Sequence, residues 1–127
     1  MSAAVLYSIV ESPAHADFSA LYRRLNLLEI EFKSMRKAMA HLRHQPPDFV
    51  VAEFFYGYAN NYAGVNISNL DVLLFSLQKY APNSRVLVMV DKSERTYVEP
   101  LSRIFPLHGI LQHPVSAQDV EERLLSR

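Results

Sequence analysis

Residues 46–55 read Pro46-Pro47-Asp48-Phe49-Val50-Val51-Ala52-Glu53-Phe54-Phe55. Neither proline can donate to a helical ladder, so the pair ends the helix before it. From Phe49 to Phe55 every position but one is apolar. A run that short, without alternation, reads as a strand buried on both faces, as in the interior of a parallel sheet. The exception is Glu53, a lone carboxylate. A strand covered on both faces needs helices on both sides, and the chain around it must supply them.

It does so in alternation. Upstream, Ala4 to Val10 is a mostly apolar run that ends at Glu11-Ser12-Pro13. Phe18, Leu21, Tyr22 and Leu25 then fall at i, i+3, i+4 and i+7, one stripe of a helix. Leu28 to Lys33 alternates strictly, which predicts a half-buried strand at a sheet edge. Met35, Ala38, Met39 and Leu42 repeat the helical stripe behind Ser34, a good N-cap. Downstream, a Tyr/Asn/Gly-rich loop runs from Tyr56 to Asn66. Ser68-Asn69-Leu70-Asp71 has capping-box spacing ahead of a helix carrying Leu70, Leu73, Leu74 and Leu77. Arg85 to Val90 is a second buried strand. Val98, Leu101, Ile104 and Phe105 mark a fourth helix with Pro100 near its first turn, and Gly109 to Leu111 a short fifth strand. Ser116 to Asp119 caps a last helix bearing Val120 and Leu124.

Strand–helix alternation repeated five times predicts a single domain, residues 1–127, with a parallel sheet between two helical layers. The flavodoxin-like (βα)5 order 2-1-3-4-5 fits best, because it puts the alternating second strand at an edge. In such sheets the functional crevice lies at the carboxyl ends of the strands. Those ends carry Glu11 and Ser12, Glu53, Val90 to Lys92, and His113-Pro114.

Composition narrows the function classes. No cysteine is present, which removes disulfides, zinc ribbons and thiol nucleophiles. No apolar stretch approaches the ~20 residues that span a bilayer, and the cytoplasm is the expected location. Thirteen basic residues balance thirteen acidic ones, so no global field favours a nucleic acid. His41 and His44 lie three apart on a helix, but no carboxylate supports them as metal ligands, and a solvated face is expected. Neither metal nor cofactor is expected.

The strand ends resemble the receiver domain of two-component response regulators (CheY-like), over nearly the whole chain. Val10-Glu11-Ser12-Pro13 is similar to the acidic end of the family's first strand. Pro47 to Glu53 is similar to its Pro-Asp-hydrophobic run into the phosphoacceptor, and Gly109 to Val115 to the fifth-strand segment ending Lys-Pro-Phe. By the same resemblance a cis peptide is expected before Pro114. Receivers phosphorylate an aspartate that helps two other acidic groups hold Mg²⁺. A lysine contacts the phosphoryl oxygens, and a hydroxyl reports to a mobile aromatic.

Every one of those positions is altered. The acceptor matches Glu53, whose extra methylene displaces the nucleophilic oxygen by about a C–C bond length, enough to spoil an aligned attack. The acidic pair becomes Glu11 and Ser12, a poor metal site. The lysine becomes His113, the hydroxyl Val90, and the switching aromatic Ile110. The resemblance therefore implies a degenerate receiver. Glu53 reads either as a structural carboxylate, paired with His113 or facing the crevice, or as a standing mimic of the phosphorylated state. Tyr56, Tyr58, Asn60, Asn61 and Tyr62 form either a binding loop or a self-packed cover.

Three functions follow. One is a signalling module that binds a protein partner or a second copy without phosphoryl chemistry. Its face would be the fourth helix, fifth strand and fifth helix, around Thr96 to Phe105 and Ala117 to Arg127. Another is a flavodoxin-like small-molecule binder using the 56–66 loop, against which stands the lack of a Gly-rich phosphate loop after the first strand. The third is an enzyme, for which no catalytic constellation is evident.

Overall fold

The computed structural model describes residues 4–10, 17–56 and 68–126. Its five strands are β1 (Ala4–Ile9), β2 (Leu27–Phe32), β3 (Phe49–Glu53), β4 (Arg85–Val90) and β5 (Gly109–Gln112). All four pairings are parallel, in the order β2-β1-β3-β4-β5. The alternating strand β2 lies at an edge, as its half-buried pattern required. The buried strand β3 lies at the centre, between β1 and β4.

Each strand sends alternate side chains to opposite faces. On one face Tyr7, Ile9, Val50, Ala52, Val86, Val88 and Val90 pack under α2 (Met35–His41) and α3 (Asp71–Tyr80). On the other, Leu6, Val51, Leu87, Met89 and Leu111 pack under α1 (Ser19–Arg24) and α4 (Ala117–Leu125). Leu73, Leu74 and Leu77 of α3 are fully buried, each contributing roughly 2 kcal/mol of apolar transfer. Burial also pushes the Tyr7 phenol up to about 12, while its hydroxyl donates to the Gln45 carbonyl at 2.6 Å. The Tyr22 hydroxyl, also buried, has no hydrogen-bond partner among the described residues, and its phenol is pushed up by burial and then by Glu29 and Asp17.

Local polar groups set the element ends. The Ser34 hydroxyl accepts the Lys37 amide at the start of α2. Ser116 and Asp119 make a complete reciprocal capping box on α4, with both bonds at 3.1 Å. At α3 the box is half made: Asp71 Oδ1 accepts from the Ser68 amide and hydroxyl, whereas Ser68 Oγ accepts from Leu70 rather than Asp71. Asp48, entering β3, ties the lower ends of three strands. Its carboxylate accepts the Val5 amide at 2.8 Å, its amide donates to the Val5 carbonyl, and its carbonyl accepts from Arg85.

The expected fourth helix is not α-helical. Residues Lys92–Tyr97 and Glu99–Arg103 form two 3₁₀ turns that meet at Val98. Pro100 falls in the first turn of the second, where it supplies no amide and discourages a continuous α-helix. Val98, Leu101 and Phe105 still reach the core, because a three-residue period keeps i and i+3 on one face.

Gly109 opens β5 where strand and helix run closest. A Cβ there would lie 2.9 Å from Leu87 Cδ2 and 3.2 Å from Arg123 Cδ. Leu87 is fully buried and has little room to yield. Gly109→Val is expected to lower unfolding stability by about 1–3 kcal/mol, as overpacking does. Urea denaturation measures it, and an unchanged midpoint would show that α4 rides freely over the sheet.

Candidate functional site

The crevice is set by strand register. Glu53 pairs with Met89, and Met89 with Leu111. In-register neighbours share a face, so Glu53 points to the side that α1 and α4 cover. It is buried, 5% exposed. One period further along, β4 and β5 bring up Asp91 and His113. Asp91 is in extended conformation, and the ladder runs on through the His113 amide, which donates to the Val90 carbonyl at 2.9 Å. Alternation therefore sets Asp91 and His113 on the same face as Glu53, at the rim above it. The His113–Pro114 peptide is cis.

Val90 does not line this crevice. It is fully buried in the opposite core, beneath α2 and α3. On β4 the residue sharing the face of Glu53 is its partner Met89, and the next on that face, just past the strand, is Asp91. The hydroxyl position that the resemblance matched to Val90 therefore falls, by register, on a carboxylate. Hydrogen bonds from the Ser93 hydroxyl (2.6 Å) and then the Ser93 amide (3.1 Å) hold the Asp91 carboxyl below its usual range, and the His113 charge lowers it further. The alternation of β4 was the signal that could have found it. Val86, Val88 and Val90 are equivalent by period two, so Val90 belongs with the core.

Ile110 is half-buried against the core of the α2 and α3 layer. His41 and His44 lie with ring centroids 6.2 Å apart, and His41 packs against Phe32 and Tyr7. Among the described residues no group of three or more metal-ligating side chains comes together. Glu11, Ser12, Tyr58, Asn60, Asn61 and Tyr62 lie outside the described residues.

Tyr56 is described, and with it both ends of the 56–68 connection. Tyr56 and Ser68 form an antiparallel bridge. Asn69, buried, fastens the exit of β3: its Oδ1 accepts the Phe55 amide at 2.7 Å and its Nδ2 donates to the Glu53 carbonyl at 2.8 Å. Its own amide donates to the Phe55 carbonyl. Asn69 lies inside the Ser68–Asp71 capping segment, yet its side chain fixes the backbone at Glu53 and Phe55.

No family model and no curated protein matches the sequence. Solved structures do match the fold. The chain is similar to the signal receiver domain of a Luxo repressor protein from Vibrio parahaemolyticus, at 11% identity and a TM-score of 0.73, covering 96% of this chain and 87% of that one. It is similar to a response regulator from Thermotoga maritima, at 16% identity and a TM-score of 0.69, covering 96% and 94%. A response regulator from Burkholderia pseudomallei, with a phosphorylated aspartic acid and a calcium ion, matches at 13% identity and a TM-score of 0.68, covering 97% and 67%. The chain therefore has the flavodoxin-like fold of response-regulator receiver domains.

Removing the Asn69 side chain takes one partner from the half-buried Phe55 amide and one from the buried Glu53 carbonyl. Asn69→Ala is expected to cost about 2–3 kcal/mol in denaturant unfolding. A loss under about 0.5 kcal/mol would mean that solvent replaces both bonds.

Proposed function

We propose that this domain is a degenerate receiver, a signalling module that regulates by binding a protein partner or a second copy of itself, without phosphoryl transfer. One observation carries the reading: among the described residues, the crevice face brings the carboxylates of Glu53 and Asp91 together with the imidazole of His113. A phosphoryl group arriving at Glu53 meets a second negative charge at Asp91, where transfer calls for a neutral hydrogen-bond donor. His113 stands where the family resemblance calls for a lysine, so an imidazole ring replaces the ammonium that would meet the phosphoryl oxygens. Phosphoryl transfer depends almost wholly on positioning and charge compensation, so these changes act against it together. By the sequence resemblance, Ser12 beside Glu11 leaves the family's metal position one carboxylate short. A carboxyl side chain built into the crevice at Glu53 suits a module held in one state rather than switched.

The partner face proposed is that of the 3₁₀ segment, β5 and α4. Its exposed apolar residues are Tyr97 and Leu125, the latter 64% exposed, and Ile104, Leu107 and Ile110 are half-buried. Symmetric pairing through such a face makes a homodimer. Sedimentation at about 100 µM, a generous excess over ordinary dimer dissociation constants, is expected to show a dimer that Leu125→Asp weakens. A clean monomer would leave a different protein as the partner.

For the crevice, intact mass after acetyl phosphate and Mg²⁺ is expected to show no phosphoryl adduct, on the unaltered protein or on Glu53→Asp. Acceptor competence returns only when Ser12→Asp, Asp91→Thr and His113→Lys accompany that change. A stoichiometric adduct on the unaltered chain, mapped to Glu53 or Asp91, would sink the reading.

A further inference from the structure

The 3₁₀ turn Lys92–Tyr97 joins two parts of the rim. At its start Asp91 caps it through Ser93. With three residues per turn, Glu94 and Tyr97 stand one above the other, and both reach the same residue across the crevice mouth. Glu94 Oε1 accepts the Tyr56 amide at 3.2 Å. The Tyr97 ring stacks on the Tyr56 ring with centroids 3.8 Å apart and planes 19° from parallel. Tyr56 is bridged in turn to Ser68, next to the Asn69 clamp on Glu53. A chain of contacts thus runs around the rim from the Glu53 carbonyl, through Asn69, Phe55, Tyr56 and the 3₁₀ turn, to Asp91.

Its weakest link is the ring stack. Tyr56 is 47% exposed and Tyr97 42%, so core packing holds neither ring in place. Val98, the next residue, is fully buried and anchors the turn from below. A contact between two surface segments, each anchored firmly on its inner side, opens locally without unfolding the sheet.

We propose that the Tyr56–Tyr97 stack is a latch that couples the acidic crevice to the 3₁₀ segment. Closed, it fastens residues 92–97 to the mouth of β3. Open, it frees that turn to move without disturbing Val98 or the strands. Because Asp91 both lines the crevice and caps the turn, a ligand or charge change at Asp91 alters the latch without touching either ring. The inference goes beyond the partner-binding reading and stands without it.

Amide hydrogen exchange by NMR on the whole chain tests it. Tyr97→Ala is expected to speed exchange at Tyr56 and across residues 94–97 by about tenfold, the loss of one aromatic pair. Amides of Val86 and Val88 in β4 keep their protection. Tyr97→Phe keeps wild-type exchange throughout, since stacking uses the ring and not the hydroxyl. Asp91→Ala, with its cap removed, speeds exchange at Tyr56 although Asp91 makes no hydrogen bond to it. Wild-type exchange at Tyr56 in Tyr97→Ala would overturn the latch. So would acceleration shared equally by β4, which would make the ring a contributor to global stability. No change at Tyr56 in Asp91→Ala would overturn the coupling.

Discussion

The structure depends on the burial of β3 on both faces. A central strand without a wet side has to be flanked by strands at both edges and by helices above and below, and each of those elements answers to it. The alternation of its side chains then fixes the rest. Val50 and Ala52 belong to the core under α2 and α3, Val51 to the core under α1 and α4, and Glu53 follows Val51. A one-residue slip would exchange the two sets and drive Glu53 into the wrong core, an expensive burial for a carboxylate. Asp48, at the opposite end, guards against such a slip through backbone and side-chain bonds to β1 and a backbone bond to β4.

The chemistry of the crevice follows from the same period. Register decides which side chains look at one another across three strands, and Glu53, Asp91 and His113 share a face. An acceptor site needs positive charge arranged around an incoming anion, and the proposed reading turns on Asp91 bringing a carboxylate to that face instead. The fold is that of receivers, while the proposed reading of the crevice rests on these side chains alone. Polar groups are instead spent on holding backbone: Asn69 on the exit of β3, and Asp91 on the turn after β4.

The two 3₁₀ turns deserve comparison with the α-helices they replace. Val98, Leu101 and Ile104 are spaced by three, which fits one face of an α-helix and fits a 3₁₀ helix better. Phe105, bonded through its amide to Leu101 at i−4, is the point where the tighter winding relaxes. The core contacts of this layer are therefore supplied by less backbone than an α-helix of the same reach would use. Surface side chains such as Glu94 and Tyr97 are left aligned toward β3.

How much was legible in advance varies with the range of the interaction. Strands β1 to β5 were readable from runs of Val, Leu and Phe, and the edge position of β2 from its alternation, because burial on one or two faces writes itself into neighbouring residues. The caps Ser34 and Ser116 were readable for the same reason: each acts within one turn. The order 2-1-3-4-5 followed from crossover handedness and that edge strand together. What the sequence could not settle was a set of side-chain contacts between residues far apart in the chain. Asp91 enters the crevice through its register with His113, and Val90 leaves it through the same register. Asn69 reaches back to Glu53, and Tyr97 to Tyr56, across distances that no local periodicity records. Periods of two and three belong to the chain alone; which side chains meet across the sheet was decided only when the strands were laid side by side.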